Sequence, residues 1–215
     1  LKTISEAIKK TINTKRMAKS NYLWLFDNGH GGVIDGIYQT KGKRSPKWSD
    51  GSQVYEGEFN RAIVDRLVKL CNKKGIKCVN LVPELEDIKL SDRVKRANEV
   101  YESEKNCIFV SIHANAGGGS GYEVFTSKGT TKSDEIAKVF NNCMNTEFND
   151  IKSRGVKEAN FYVLKNTKMP AVLSENFFMD TYTPDFLMIY SEFGRDRIAK
   201  AHFNAIKYIE ENKLI

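Results

Sequence analysis

The chain has 215 residues, 40% of them apolar and 28% charged, which is an ordinary globular balance and excludes disorder over its whole length. Its net charge of +7 favours a polyanionic partner, such as nucleic acid, an anionic membrane or an anionic cell wall, and equally fits a lysine-rich surface without such a partner. With 25 lysines against 9 arginines, we expect no nucleic-acid binding, because phosphate and base recognition favours arginine.

The cysteine spacing and the hydropathy of the chain indicate a protein without a zinc finger or a transmembrane segment. The four cysteines form no CxxC pair and suit no zinc finger, so we expect buried free thiols. No run of about 18 apolar residues is present, so no transmembrane segment is expected, and no signal peptide is visible in the chain.

Helical and strand-like patterns alternate along the chain. Residues 1–20 are predicted to form a basic amphipathic helix, and residues 21–215 are predicted to form one domain. This alternation predicts an α/β fold with a mixed, mostly parallel sheet flanked by helices. Gly75 is expected to end one helix and Ser91 to cap the next. The predicted strands are 23–27, 76–82, 107–112, 122–126, 161–164 and 171–175, and the predicted helices are 58–74, 91–103, 132–149 and 193–211.

Three chemically capable side chains follow or end predicted strands. His30 comes just after the first strand, His113 just after the third, and Glu175 ends the last. Ligands of such sheets bind at the carboxyl ends of the strands, so we expect these side chains to lie close together. The chain has only three histidines, and the third, His202, lies within the last predicted helix without such a context.

Two histidines and a carboxylate are a common catalytic zinc set, with a fourth position open to water. Glu56 and Glu58 both qualify as the carboxylate, since each lies near the start of a predicted helix; Glu56 precedes the helical pattern and is free to turn back to the sheet edge. Glu175 ends an apolar run, where a carboxylate is costly unless it is paired, metal-bound or functional. Each residue alone also fits a turn or a helix start, but the four together favour one site.

Several segments then resemble, in order, the type 3 family of zinc-dependent N-acetylmuramoyl-L-alanine amidases of bacterial and phage cell-wall lysis. The resemblance covers about residues 22–212, and a single GHGG would be a weak signal where several ordered motifs are a strong one. The segments are LFDNGHGG at 25–32, YEGEFN at 55–60, DRV and AN within 92–98, SIHAN at 111–115, RGVK at 154–157, FYVL at 161–164 and PAVLSENF at 170–177.

The resemblance implies the chemistry and the residues that perform it. It selects Glu56 rather than Glu58, and implies one Zn²⁺ per chain bound by His30, Glu56 and His113, with Glu175 as the catalytic base. The implied reaction is hydrolysis of the amide bond between N-acetylmuramic acid and L-alanine in peptidoglycan, by a zinc amidase catalytic domain at residues 21–215.

The same resemblance sets expectations for partners and place of action. Peptidoglycan is the expected partner, the protein is expected to be a monomer, and it acts at the bacterial cell wall after secretion or phage release. Asn115 and Arg154 are expected substrate contacts, since an arginine can pair with a stem-peptide carboxylate. The alternatives are a zinc peptidase with another substrate, a non-catalytic wall- or zinc-binding protein, and a nucleic-acid binder.

The chain departs from the family pattern in two places. Phe177 or its neighbour stands where the family has glycine after the catalytic glutamate. The loop at 38–54 is longer than usual, is rich in lysine and glycine, and contains Trp48, so we expect it to form one wall of the substrate groove, with Trp48 as a substrate contact. Residues 116–153 leave no room for the helix that covers the zinc in some relatives, so an open site is expected.

Overall fold

The computed structural model describes residues 20–215, so the helix predicted at 1–20 lies outside the described residues except for Ser20. The strands are β1 (Leu23–Asn28), β2 (Val33–Ile34), β3 (Ile37–Tyr38), β4 (Cys78–Asn80), β5 (Cys107–Asn115), β6 (Tyr122–Thr126), β7 (Ser153–Glu158) and β8 (Ala171–Phe178). The helices are α1 (Glu56–Lys74), α2 (Leu90–Ser103), α3 (Lys132–Glu147), α4 (Tyr162–Asn166), α5 (Leu187–Tyr190) and α6 (Glu192–Asn212).

One six-stranded sheet organises these elements, in the order β4-β1-β5-β8-β6-β7. Neighbouring strands are parallel except for β6 and β8, which run antiparallel, so the predicted mixed, mostly parallel α/β sheet is confirmed. The strands β2 and β3 form a separate small hairpin after β1. The carboxyl ends of β1, β5 and β8 are therefore neighbours at one edge of the sheet.

Helices cover both faces of the sheet and bury two apolar cores. The first core lies under α1, α3 and α6, where Ile63, Phe140 and Ile206 are fully buried. The second lies under α2 and α4, where Ala97 and Leu164 pack on the other face. None of the helices within residues 20–215 is both long enough and apolar enough to span a bilayer.

Most predicted elements are confirmed, and the errors are local. The segment 161–164, predicted as a strand, contains the start of helix α4, and the strand of this region is β7. A short apolar run does not separate the two structures by periodicity, and here Val163 and Leu164 pack beneath α2. The predicted cap at Ser91 is also wrong, because α2 begins at Leu90 without a side-chain cap.

Three boundary shifts concern the site directly. Glu56 does not precede its helix but is the first residue of α1. The strand β5 continues to Asn115 and β8 to Phe178, so His113 and Glu175 lie within strands rather than after or at their ends. These side chains are consequently held by the register of the sheet. His113 pairs with Glu175 across β5 and β8.

The cysteines are free, as predicted. Cys71, Cys78 and Cys107 are buried, whereas Cys143 is only half-buried.

Candidate active site

The turn after β1 places His30. A Cβ on Gly29 would lie 2.1 Å from the imidazole of His113, so only glycine permits this approach of turn and strand. His30 itself has φ 68°, a left-handed conformation that is uncommon for a non-glycine residue. Asn60 of α1 donates from Nδ2 to the Gly29 carbonyl at 2.9 Å and fixes the turn.

A buried arginine holds the same turn from the other side. Arg93 Nη1 donates to Asp27 Oδ1 and to the Asn28 carbonyl, each at 2.7 Å, and Nη2 donates to the His30 carbonyl at 3.3 Å. Ser111 of β5 completes the group by donating its hydroxyl to Asp27 Oδ2 at 2.6 Å. The strained backbone of His30 is therefore secured by charge-assisted hydrogen bonds.

Helix α1 brings the carboxylate. A Cβ on Gly57 would lie 1.8 Å from the Gly31 carbonyl oxygen, so the helix start and the His30 turn are in direct backbone contact. Glu56 is buried and lies between the two histidine rings. The other candidate, Glu58, accepts a hydrogen bond from the Val33 amide at 3.0 Å and so binds the β2–β3 hairpin instead.

The three side chains His30, Glu56 and His113 converge. His30 Nε2 lies 3.2 Å from Glu56 Oε2, and His113 Nδ1 lies 2.9 Å from Glu56 Oε1. One ligand atom from each residue lies within 4.8 Å of the others. Tetrahedral ligands about 2.1 Å from zinc lie roughly 3.4 Å apart, so the donor set fits this ion. His30 Nε2 is buried and, within residues 20–215, has no hydrogen-bond partner of good geometry. A nitrogen whose lone pair binds a cation would have the same environment.

Within this group of three side chains, the interaction between Glu56 and His113 shifts the pKa of each. Burial opposes ionisation of Glu56, but the hydrogen bond with His113 and the adjacent His30 imidazole outweigh it and hold its pKa well below the ordinary value. Burial likewise opposes the charged form of His113, and the Glu56 carboxylate reverses this and raises its pKa. The carboxylate therefore stays ionised, as a metal ligand must.

Glu175 has the opposite environment. Its Oε2 is buried and has no hydrogen-bond partner within the described residues. Burial raises the pKa of Glu175 to about 7, with Glu56 and Glu123 adding to the rise and His113 and Lys43 opposing it. A carboxyl group with a pKa near neutrality can both accept and donate a proton, which is the property of a general acid–base.

A cavity of about 630 Å³ opens over these residues. His30, Glu56, His113 and Glu175 all line it, so the structure brings together the four side chains that the sequence predicts to form one site. The cavity is bounded by the loop residues Lys41, Gly42, Lys43 and Arg44, and by Phe161, Tyr162 and Val163.

The expected substrate contacts differ in their positions. Asn115 lines the cavity, while its Nδ2 donates to Glu123 Oε1 at 2.7 Å. Arg154 does not line it; its Nε donates to Glu123 Oε2 at 2.7 Å, and its guanidinium lies over Phe178. Trp48 also lies outside the lining and packs against Tyr182 and Phe186, with ring centroids 4.9 and 5.4 Å away. Direct contact of Arg154 or Trp48 with substrate stays a prediction.

The departure at Phe177 has a structural explanation. Between the pairs His113–Glu175 and Asn115–Phe178, one residue of β5 opposes two of β8, so β8 contains a bulge just after Glu175. Phe177 adopts φ 64° in this bulge, a conformation that glycine adopts without strain. Its ring is fully buried against Tyr122 and Phe148 and does not line the cavity.

The segment between β5 and β6 is short and tightly held. Asp180 Oδ2 accepts hydrogen bonds from the Gly117 and Gly118 amides at 2.7 and 3.0 Å, and Asp185 binds Ser120 and Gly121. Within residues 116–153 the elements are β6, α3 and the first residue of β7, as the sequence indicated, and none of them lines the cavity.

Three further residues that organise this site were not predicted from the sequence. Asp27 and Arg93 form the buried pair behind the His30 turn, and Glu123 is a buried carboxylate next to Glu175 across β6 and β8. Asp27 and Arg93 both lie in the quoted motifs LFDNGHGG and DRV, so a signal existed, but their contact joins residues 66 positions apart. Glu123 lies in no quoted motif.

Two histidines and a glutamate at the sheet edge, beside a buried glutamate whose Oε2 has no hydrogen-bond partner within residues 20–215, are an arrangement found in metal-dependent hydrolases. The chain belongs to the N-acetylmuramoyl-L-alanine amidase family (Amidase_3), whose match covers residues 25–208.

Curated relatives and solved structures agree with this membership. The chain is 32% identical over 191 residues to the N-acetylmuramoyl-L-alanine amidase CwlM of Bacillus licheniformis, and 30% identical over 197 residues to the endolysin of Bacillus phage SPP1. These alignments cover 85% and 88% of this chain but only 66% of each relative, just under two thirds of its length. The crystal structure of an N-acetylmuramoyl-L-alanine amidase from Clostridium difficile 630 superposes with a TM-score of 0.77 at 29% identity, covering 91% of this chain and 100% of that one.

Proposed function

We propose that this chain hydrolyses the amide bond between N-acetylmuramic acid and L-alanine in peptidoglycan, using one zinc ion held by His30, Glu56 and His113. The observation that carries the proposal is the convergence of these three side chains beside the buried Glu175 in one cavity. Family membership supports the choice of peptidoglycan as substrate.

Zinc in such a site acts as a Lewis acid, polarising a carbonyl group and lowering the pKa of water. Glu175 is then the base: its carboxylate takes a proton from the attacking water as the new C–O bond forms. The same carboxyl group returns a proton to the leaving nitrogen as the C–N bond breaks, and a pKa of about 7 suits both steps. Asn115 lines the cavity, and in this proposal the second N–H of its amide donates to a substrate carbonyl while the first is bound to Glu123.

Glu123 supports this arrangement without lining the cavity. It is buried, accepts from Asn115 and pairs with Arg154 and Lys157. Burial acts against ionisation of Glu123, but Lys157 and Arg154 outweigh it and lower its pKa, whereas no ion pair within residues 20–215 includes Glu175. The contrast supports Glu175 rather than Glu123 as the proton-transfer group in this proposal.

Digestion of purified peptidoglycan tests the proposal. The wild-type chain loaded with zinc should release free stem peptides that begin with L-alanine, identified by mass, and leave intact glycan strands. A zinc peptidase would instead release fragments cut within the stem peptide or cross-bridge, and a non-catalytic wall-binding protein would sediment with the wall without releasing products. Either result would reject the amidase assignment.

A further inference from the structure

The cavity has two chemically different walls. The basic wall consists of Lys41, Lys43 and Arg44, and the aromatic wall consists of Phe161 and Tyr162. The basic wall lies in the loop before α1, and α1 covers the first core. The aromatic wall lies at the start of α4, where Phe161 is the residue before the helix and Tyr162 its first residue, and α4 covers the second core. Because the two cores lie on opposite faces of the sheet, the walls approach the sheet edge from opposite sides.

The basic wall is fixed beside the metal ligands. The Glu56 amide donates to the Lys43 carbonyl at 2.9 Å, and Arg44 forms a backbone bridge with Tyr55. Within the part of the chain that the structure describes, none of the three cations forms an ion pair, although the cavity also contains Asp27 and Asp87. Both aspartates pair with Arg93 instead. The cations are therefore available to an anionic ligand.

The aromatic wall offers apolar surface to the same cavity. Phe161 and Tyr162 are 36% and 46% exposed, high values for aromatic side chains. Phe161 packs edge-on against Phe125 with ring centroids 5.0 Å apart, which fixes its orientation. Exposed aromatic rings present flat faces on which the C–H groups of a sugar ring can pack.

We propose that the cleft binds its substrate with one polarity, placing the sugar ring against Phe161 and Tyr162 and the stem peptide against the basic wall. This inference rests on the proposed function. The scissile amide then lies over Glu175 between the walls, and Lys43, anchored through its backbone to Glu56, takes the first carboxylate beyond the scissile bond. L-alanine carries none, so that group is the free α-carboxylate of a γ-linked D-glutamate at the second stem position.

Two synthetic disaccharide pentapeptides test this polarity, one with D-glutamate and one with the neutral D-isoglutamine at the second position. We expect Lys43→Gln to raise KM about fivefold for the D-glutamate substrate, since an exposed charge pair is worth up to about 1 kcal/mol. KM for the D-isoglutamine substrate should not change, because that substrate lacks the carboxylate. Lys47→Gln is the matched control, because Lys47 is an exposed lysine of the same loop that does not line the cavity.

The aromatic wall supplies the opposite expectation. Tyr162→Ala should raise KM about fivefold for both substrates by the same factor, because its contact is with the sugar. The inference is overturned if Lys43→Gln changes KM equally for both substrates or for neither. It is also overturned if Tyr162→Ala changes KM by different factors for the D-glutamate and D-isoglutamine substrates. A wild-type enzyme that cleaves neither substrate would overturn the proposed function and this inference with it.

Discussion

Two buried glutamates 119 residues apart in the sequence receive opposite pKa shifts from their neighbours. Burial acts on both in the same direction. At Glu56 the hydrogen bond with His113 and the adjacent His30 imidazole overcome it, whereas no hydrogen-bond donor within the described residues satisfies Glu175 Oε2. The first carboxylate is thereby suited to bind a cation and the second to move a proton.

Glu175→Gln should preserve the fold and the zinc content and lower kcat by about 100-fold or more, the scale of general acid–base catalysis. The matched control is Glu58→Gln, a change of the same chemistry at a glutamate that binds the Val33 amide. Metal analysis and initial rates on peptidoglycan check both variants. Normal turnover by Glu175→Gln would show that another residue is the base.

His202 makes stability depend on pH independently of catalysis. Burial lowers its pKa to about 4 from 6.5. Its Nδ1 lies 2.9 Å from the Ile198 carbonyl, which requires a donor, so the Ser174 hydroxyl donates to the neutral Nε2 at 2.8 Å. The neutral ring stabilises the fold above pH 6.5, and this contribution declines as the pH falls towards 4, by about 3 kcal/mol in all.

Urea unfolding of wild type and His202→Gln at several pH values between 4 and 7 measures this contribution. The free energy of unfolding should fall more steeply with decreasing pH in the wild type, because the variant has no group to protonate at this site. Parallel slopes in the two proteins would contradict a depressed pKa for His202.

At the scale of the elements, the site depends on backbone contact between α1 and the turn after β1. Gly57→Ala places a methyl group 1.8 Å from the Gly31 carbonyl oxygen, so helix and turn must separate, and with them Glu56 and His30. We expect zinc affinity to fall at least tenfold and stability to fall by about 1–3 kcal/mol, as for other overpacked sites.

Gly36→Ala is the control for this change. Gly36 lies in the turn between β2 and β3, where an added Cβ meets no atom of residues 20–215 within 4 Å, so among these residues only its positive φ opposes the substitution. Zinc titration should show wild-type affinity in this variant. Equal affinities in Gly57→Ala and Gly36→Ala would contradict the role assigned to the close contact.

The loop at 38–54 contacts two different parts of the molecule through different residues. Its early part lines the cavity, and Trp48 packs half-buried on Tyr182 and Phe186. If this packing holds the loop in place, Trp48→Ala should raise KM with little change in kcat, because the loop that carries the basic wall is then less well ordered. Trp48→Phe keeps an aromatic ring there and should restore KM. A rise in KM of the same size in Trp48→Phe would indicate that the indole itself contacts substrate.

At the scale of the whole molecule, we expect binding of the proposed zinc ion to stabilise the fold. We expect one zinc per chain, and at a free concentration about 100 times Kd it should raise Tm by about 5–10 °C, since a ligand that binds only the folded state adds about 2.7 kcal/mol. Chelation should abolish this rise together with the activity, and added zinc should restore both without any second protein. Retained zinc in His30→Ala or His113→Ala would contradict the assigned ligands, and a requirement for an added activator protein would contradict an open site.

The sequence alone determined the α/β class, because alternating periodicities are set by local chain geometry, and it singled out His30, Glu56, His113 and Glu175 through short motifs. It could not determine that Glu175 lies inside β8, or that 161–164 begins a helix, since a short apolar run suits either structure until its packing partner is known. The roles of Arg93 and Glu123 depended on tertiary structure alone. Their charges become tolerable in the interior only through partners that are distant in the chain, and only the folded sheet brings those partners within hydrogen-bonding distance.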